Sequence, residues 1–167
     1  MQINDLHEIR LLSLQDAFDA SGLVLASFEQ HVAADWEPEA RSTFAAECSP
    51  EHLRELIENA TYAMGAFVGP DMAGVSLMPR PSLLKVFFIH PKFVRTGIGR
   101  SLWEATRRQV EAATPQVQTV ELNASPYAVP FYRSVGFVPI SREYSRCGWR
   151  ATRMACWLPA RSMGAEL

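Results

Sequence analysis

Apolar and polar positions follow two rhythms along this chain, and the change of rhythm predicts the elements. Residues 9–14 alternate weakly and predict a first strand; residues 16–32 favour a helix with Asp16 as its N-cap. Residues 34–49 are mixed, and Pro38 reads as a breaker. Ser49-Pro50-Glu51-His52 then opens a second helix in the order helix starts prefer: a hydroxyl cap, a proline in the first turn, an acid after it. That helix runs to about residue 60. Apolar runs at 61–68, 73–78 and 83–89 predict three strands, parted by turns at Gly69-Pro70-Asp71 and Pro79-Arg80-Pro81.

Residues 99–113 predict an amphipathic helix, with Ile98, Leu102 and Ala105 on one face and Trp103 and Val110 on its flank. A short strand at 119–123 and a short helix at 126–135 follow, the helix ended by Gly136. Residues 136–138, 141–146 and 151–158 read as late strands, the last two a hairpin around Cys147-Gly148. The order is strand, two helices, three strands, helix, strand, helix, strands. This is α/β with a mixed sheet.

Composition adds limits. The 167 residues suit one compact domain, with 48% hydrophobic and 20% charged residues, as in an ordinary soluble protein. No apolar run approaches the roughly 20 residues that cross a bilayer, and the first residues lack a signal-peptide pattern. Cys48, Cys147 and Cys156 fit neither a disulfide framework nor a metal knuckle. No metal is expected, and a reducing, cytoplasmic setting is. Charge is lopsided: residues 16–60 hold ten carboxylates against two arginines, a net of −8, while residues 80–161 hold thirteen cations against four carboxylates, a net of +9. One half attracts cations and the other anions, which speaks against nucleic acid as a partner of the first.

The anion-attracting half carries the candidate chemistry. In FFIHPKFVRTGIGR, residues 87–100, a strand ends at His90-Pro91 and a short loop delivers Gly97-Ile98-Gly99 to a helix start. Glycines there let backbone N–H groups approach a ligand, and a helix N-terminus favours an anion such as phosphate. A dinucleotide fold would want a third glycine where Leu102 stands, and a P-loop would want a lysine that Gly99-Arg100-Ser101 lacks. A plain structural turn stays open on this segment alone.

A second segment, VELNASPYAVPFYRSVGFVPI at 120–140, narrows the choice. VRTGIGRSL followed by AVPFYRSVGF resembles the GNAT superfamily of acyl-CoA N-acyltransferases. IRLLSLQDA resembles that family's first strand and first helix start, VGPDMAGVSLM its second hairpin, and residues 141–158 its last strands. The resemblance covers most of the chain. It implies one acyltransferase domain over residues 1–158, with a frayed tail at 159–167. It also implies a mixed central sheet with helices on both faces, splayed between the fourth and fifth strands.

By the same resemblance, backbone N–H groups of Arg95, Thr96, Gly97, Ile98, Gly99 and Arg100 hold the diphosphate of acetyl-CoA. The family motif opens with Gln or Arg where this chain has Val94, a side chain that backbone binding does not need. Phe87, Phe88 and Ile89 hold the pantetheine arm through their backbone, their side chains being core, and the Phe87 N–H polarises the acyl carbonyl. Tyr132 protonates the departing thiolate, as a phenol can near neutral pH. Ser125 is either the cap of the following helix or a contact to CoA, and Asn123 is a contact to cofactor or substrate.

The implied reaction is direct attack of a primary amine on the thioester. Some family members place a glutamate early on the fourth strand as general base; this chain has none there, so another group or a water chain takes the proton or the amine arrives neutral, with Glu121, Glu29, His31 and Asp35 as the candidate groups. The amine acceptor, a small molecule or peptide, would meet Phe28, His31, Trp36, Tyr144, Trp149 and Met154, where aromatic faces and acidic charge suit a cation with an apolar body. No residue is spaced to activate a cysteine. Membrane and nucleic acid are not implied as partners; a homodimer is common in the family, and the oligomeric state stays open. The rival reading is a CoA-binding sensor or interaction module without catalysis.

Overall fold

The computed structural model describes residues 7–159. Strand β1 (His7–Leu11) leads through a single turn into helix α1 (Ala17–His31), followed by α2 (Pro38–Glu47) and α3 (Pro50–Asn59). Strands β2 (Tyr62–Val68), β3 (Asp71–Met78) and β4 (Val86–Ile89) precede α4 (Ile98–Ala113). Then come β5 (Thr119–Ala124), α5 (Val129–Ser134), β6 (Val138–Pro139), β7 (Tyr144–Arg146) and β8 (Trp149–Trp157). The expected C-terminal tail lies, from residue 160 on, outside the described residues.

Several expectations need correcting. Asp16 does not cap α1 through its side chain: its own backbone is already right-handed helical. Its carboxylate turns back instead, accepting the Ser13 N–H at 2.7 Å and both terminal nitrogens of Arg10 at 2.9 and 3.0 Å. This turn is also why the first strand stops at Leu11. Pro38 starts a helix rather than breaking one. At the first helical position its missing N–H has no acceptor to lose, and the extended Glu37 before it is the conformation a proline imposes on its predecessor. There are therefore three long helices before β2, not two. Ser125 caps nothing with its hydroxyl; α5 begins only at Val129, after a turn in which the Ser125 carbonyl accepts from Ala128 and Val129. Ser49 does cap α3, accepting the His52 N–H.

The strands form two antiparallel sheets, β1-β2-β3-β4 and β5-β8-β6, with β7 also pairing β8. Among the described residues, backbone hydrogen bonds join the two sheets at one place. Leu84 N–H donates to the Glu121 carbonyl at 3.0 Å and Glu121 N–H to Ser82 at 2.9 Å, a parallel bridge just before β4. This crossing shortens the expected strand at 83–89 to four residues. Beyond it β4 and β5 diverge, and the sheet splays.

Alternation along the strands assigns their faces. Val75 and Leu77 face α1 and α3, packing with Val24 and Leu53. Met64 and Ala66 face α4, packing with Ile98 and Leu102. A paired Ser76–Thr106 hydroxyl contact at 3.0 Å lies buried under α4. The second sheet closes over Trp103 and Phe137, and Met154, expected near the acceptor, is part of that core. No helix among the described residues is long and apolar enough to cross a membrane.

Candidate functional site

The splay leaves a cleft of about 1320 Å³ between β4 and β5. Backbone register decides what β4 offers to it. His90 N–H donates to Ala73 at 2.8 Å, so the neighbouring pair Gly74·Ile89 is not itself hydrogen-bonded. By the alternation of antiparallel ladders, Ser76·Phe87 is not either. The N–H and C=O of Phe87 and Ile89 therefore point away from β3, into a gap where no strand pairs with them. Phe88 faces the other way along the backbone, and its side chain joins the α1 core.

The loop at the head of α4 offers further donors. Arg95 and Gly97 both have left-handed backbones, φ 63° and 87°. Residues of this kind alternating in a loop turn successive N–H groups toward one side. Among the described residues none of the N–H groups from 95 to 100 has a hydrogen-bond acceptor; the first α-helical bond here is Ser101 to Gly97. The Thr96 hydroxyl ties the loop back to the Phe93 carbonyl. Arg95 and Gly99 line the cleft, whereas the side chain of Ile98 is wholly buried. The Arg100 guanidinium reaches the Ser134 carbonyl at 3.0 Å, at the end of α5. A run of unpaired N–H groups at a 16-residue helix start suits an anion.

Tyr132 stands on α5 in the wall of the cleft, its ring packed against Phe137, Phe131 and Phe87. Burial pushes its phenol well above the ordinary tyrosine range, so it keeps its proton. The hydroxyl has no hydrogen-bond partner among the described residues. Asn123 and Ser125 line the same cleft, and Asn123 Oδ1 accepts from Tyr144 at 3.1 Å. Burial also raises the thiols of Cys48, up to about 12, and Cys156, which keeps both inert.

At the far end of the cleft aromatic rings gather. Phe28 packs on Trp36 and Phe44 at 5.1 and 4.2 Å, and Trp36 lies 6.1 Å from Trp149. Tyr144 meets Trp149 edge-on behind this wall and is not part of the lining. His31 stacks on Tyr127 at 4.3 Å. Glu37, Glu39 and Glu47 line this end. Phe44, Tyr127 and these acids escaped the sequence reading. The proline taken as a breaker hid the face of α2; with Pro38 placed at a helix start, Ala40, Phe44 and Glu47 share one helical stripe.

Of the four candidate bases, the structure commits two. Glu121 pairs with Arg153 at 2.7 Å, and Asp35 with Arg150 at 3.3 Å. Glu29 is exposed and outside the cleft lining. His31 lines it.

Comparison with known proteins agrees with this geometry. A family model described as an Acetyltransferase (GNAT) domain matches residues 32–158. No curated protein sequence matches the chain. Among solved structures, a GCN5-related N-acetyltransferase from Rhodopseudomonas palustris superposes with a TM-score of 0.79 at 21% identity, covering 90% of this chain and 95% of that one. The PaiA N-acetyltransferase of Thermoplasma acidophilum, in complex with coenzyme A, gives 0.76 at 17% identity, over 91% and 99%. The ribosomal-protein-S18-alanine N-acetyltransferase of Escherichia coli gives 0.61 at 22%, over 96% and 98%. These likenesses show a shared fold.

Proposed function

The chain belongs to the GNAT family of acyl-CoA-dependent acetyltransferases, and we propose that it moves the acetyl group of acetyl-CoA to a primary amine by direct attack. The observation that carries this reading is the unpaired edge of β4, with Phe87 and Ile89 turned into the cleft beside Tyr132. The donor fits: backbone N–H groups of residues 95–100 offer its diphosphate a cradle at the start of α4, and the β4 edge offers its amide arm a strand-like partner. Asn123 and Ser125 hold the opposite wall.

Acetyl-CoA, consumed as the acyl donor, supplies an activated thioester carbonyl. The Phe87 N–H donates to the carbonyl oxygen as negative charge grows there; one such donor is worth roughly 10²–10³-fold in rate. Tyr132, still protonated, gives its proton to the departing sulfur. The aromatic and acidic end of the cleft receives the acceptor, whose apolar body meets Phe28, Trp36 and Trp149 and whose positive charge meets Glu37, Glu39 and Glu47. The free, buried thiols of Cys48 and Cys156 suit a reducing cytoplasm.

Calorimetric titration with acetyl-CoA, followed by thiol release over a panel of primary amines, tests the reading. Acceptor-dependent release of free thiol is expected. Tight acetyl-CoA binding with no release for any amine would replace the enzyme with a CoA-binding module.

A further inference from the structure

An alkylamine is protonated at neutral pH and cannot attack until it loses that proton. The β4 neighbourhood before Val86 holds no carboxylate to take it: residues 81–85 are Pro-Ser-Leu-Leu-Lys. Glu121 and Asp35 are occupied by arginines, and Glu29 is outside the cleft. Of the four candidate bases, His31 alone lines the cleft; the carboxylates of Glu37, Glu39 and Glu47 line it too and meet the acceptor's positive charge.

We propose that His31 takes the proton that the cationic acceptor amine must lose, acting as the base opposite the Tyr132 acid. The assignment rests on the transfer reaction proposed above. His31 lines the cleft as the last residue of α1, one helical turn beyond Phe28, so its imidazole borders the aromatic end where the amine is received. Its Nε2 is enclosed by protein and has no hydrogen-bond partner among the described residues. A buried polar atom left unpaired costs about 1–3 kcal/mol; a half-turn of the ring about Cβ–Cγ, which keeps its stacked plane, would turn this nitrogen out of its enclosed position, and a proton shared with a bound amine would then relieve that cost. The ring is held: it stacks on Tyr127 at 4.3 Å with planes 5° apart. Stacking fixes the imidazole plane, and both ring nitrogens lie in it.

The surroundings suit a base that becomes cationic. As the final residue of a 15-residue helix, His31 sits among carbonyl ends that favour positive charge. The charged groups lining the cleft with it are Glu37, Glu39 and Glu47 from the α2 segment, Lys85 and Arg95 flanking β4, and Arg150 on β8. Arg150 is already paired with Asp35 and Glu143. Three carboxylates on the α2 side outnumber the two remaining cations, Lys85 close to Cys48 at the end of α2 and Arg95 at the head of α4.

The proton count closes. The ammonium gives one proton to His31, which passes it to solvent. The neutral nitrogen attacks, the C–N bond forms, and the C–S bond breaks as Tyr132 protonates the sulfur. The second nitrogen proton restores the Tyr132 phenol. One amide, one thiol and one solvent proton result.

The test compares two acceptors of similar size at saturating acetyl-CoA: an alkylamine charged at pH 7 and a weakly basic aromatic amine neutral there. For His31→Gln we expect kcat/KM toward the alkylamine to fall at pH 7 by about 10²-fold, the lower end of what general bases contribute. The deficit should shrink as pH rises toward the alkylamine's own pKa, and should be small for the neutral amine throughout. A deficit equal at every pH and for both amines would make His31 structural and overturn the proposal; so would no deficit. Wild-type acetyl-CoA affinity by calorimetry reports that the variant is folded, and His31→Asn replaces it if it is not. Absence of thiol release from the wild-type protein with every amine would remove the transfer reaction itself, an outcome distinct from any His31-specific pattern, and the proposal with it.

Discussion

The ring of Phe87 on β4 stands 6.2 Å from that of Tyr132 on α5, so the strand edge and the phenol meet where the two sheets part. Among the described residues, backbone hydrogen bonds tie the sheets together only through Ser82, Leu84 and Glu121, and the divergence beyond that tie brings a backbone donor and a side-chain acid to one cleft. Removing the phenolic oxygen alone keeps the ring packing against Phe137 and Phe131. For Tyr132→Phe we therefore expect kcat to fall roughly 10- to 100-fold, with acetyl-CoA affinity near wild type. Burial raises the phenol, so its protonated form persists upward in pH, and kcat should show no alkaline loss from this group below about pH 10. Wild-type turnover in the variant would leave the phenol without a role.

Gly97 and Gly99 should respond differently to the same substitution. At φ 87°, Gly97 holds a conformation that costs other residues about 1–2 kcal/mol. It also sits among the unpaired N–H groups, so Gly97→Val should weaken acetyl-CoA binding by at least about tenfold, with catalysis at saturation largely kept. A side chain at Gly99 meets Phe131 at 3.0 Å. Gly99→Val should push Phe131, and Tyr132 next to it, lowering kcat and the melting temperature together. Calorimetry and steady-state kinetics on both variants separate the two effects; equal binding losses with intact kcat would mean that a side chain at Gly99 crowds the diphosphate rather than Phe131.

The Arg10–Asp16 pair gives a stability test far from the cleft. Hydrogen bonds from Arg10 and then from Ser13 hold the Asp16 carboxyl at about 2, against the desolvation that opposes them. Because the folded-state value is depressed, the stabilisation is fully present above the ordinary carboxylate range and is lost as pH falls through it toward about 2. Arg10 is well exposed, so screening limits the contribution to about 1–2 kcal/mol. Melting curves between pH 7 and pH 2 should show Asp16→Asn destabilised by about that much at pH 7, and converging on wild type in acid. A constant gap at all pH would exclude the ionic contribution.

The elements that hold the donor were legible because each rests on local chemistry. The Gly97-Ile98-Gly99 turn, the amphipathic face of α4 and the FYxxxGF run with its final glycine are short-range patterns; α4 sits where they placed it, and α5 lies inside the expected span but starts three residues later. The acceptor end was harder to see. Pro38 satisfies both a helix break and a helix start, and only the extended backbone of Glu37 decides between them. Glu121 and Asp35 looked available as bases because their partners, Arg153 and Arg150, lie 32 and 115 residues away in sequence. Tyr127 offered no signal of its own, since stacking on His31 depends on the end of α1 meeting the turn between β5 and α5 across the cleft.

The β7–β8 hairpin closes the acceptor end, and Gly148 is where its closeness can be tested. Cys147 and Gly148 turn the hairpin with left-handed backbones, φ 50° and 80°. That turn brings the Gly148 carbonyl within 2.8 Å of the Glu37 N–H, while Arg150 reaches Asp35 and Trp149 faces Trp36. A Cβ at Gly148 would stand 3.0 Å from Glu37 Cβ and 3.2 Å from Ala40 Cβ, so either the hairpin or the start of α2 must move. The displacement separates Trp36 from Trp149 but leaves β4, the 95–100 loop and α5 untouched. For Gly148→Ala we expect KM for the amine to rise about tenfold, with acetyl-CoA affinity unchanged and kcat at saturating amine reduced less than KM is raised. Arg150→Ala loosens the same contact without adding bulk, and should raise KM in the same direction by a smaller factor. Should both variants keep wild-type KM for every amine tested, the acceptor does not bind between α2 and the hairpin.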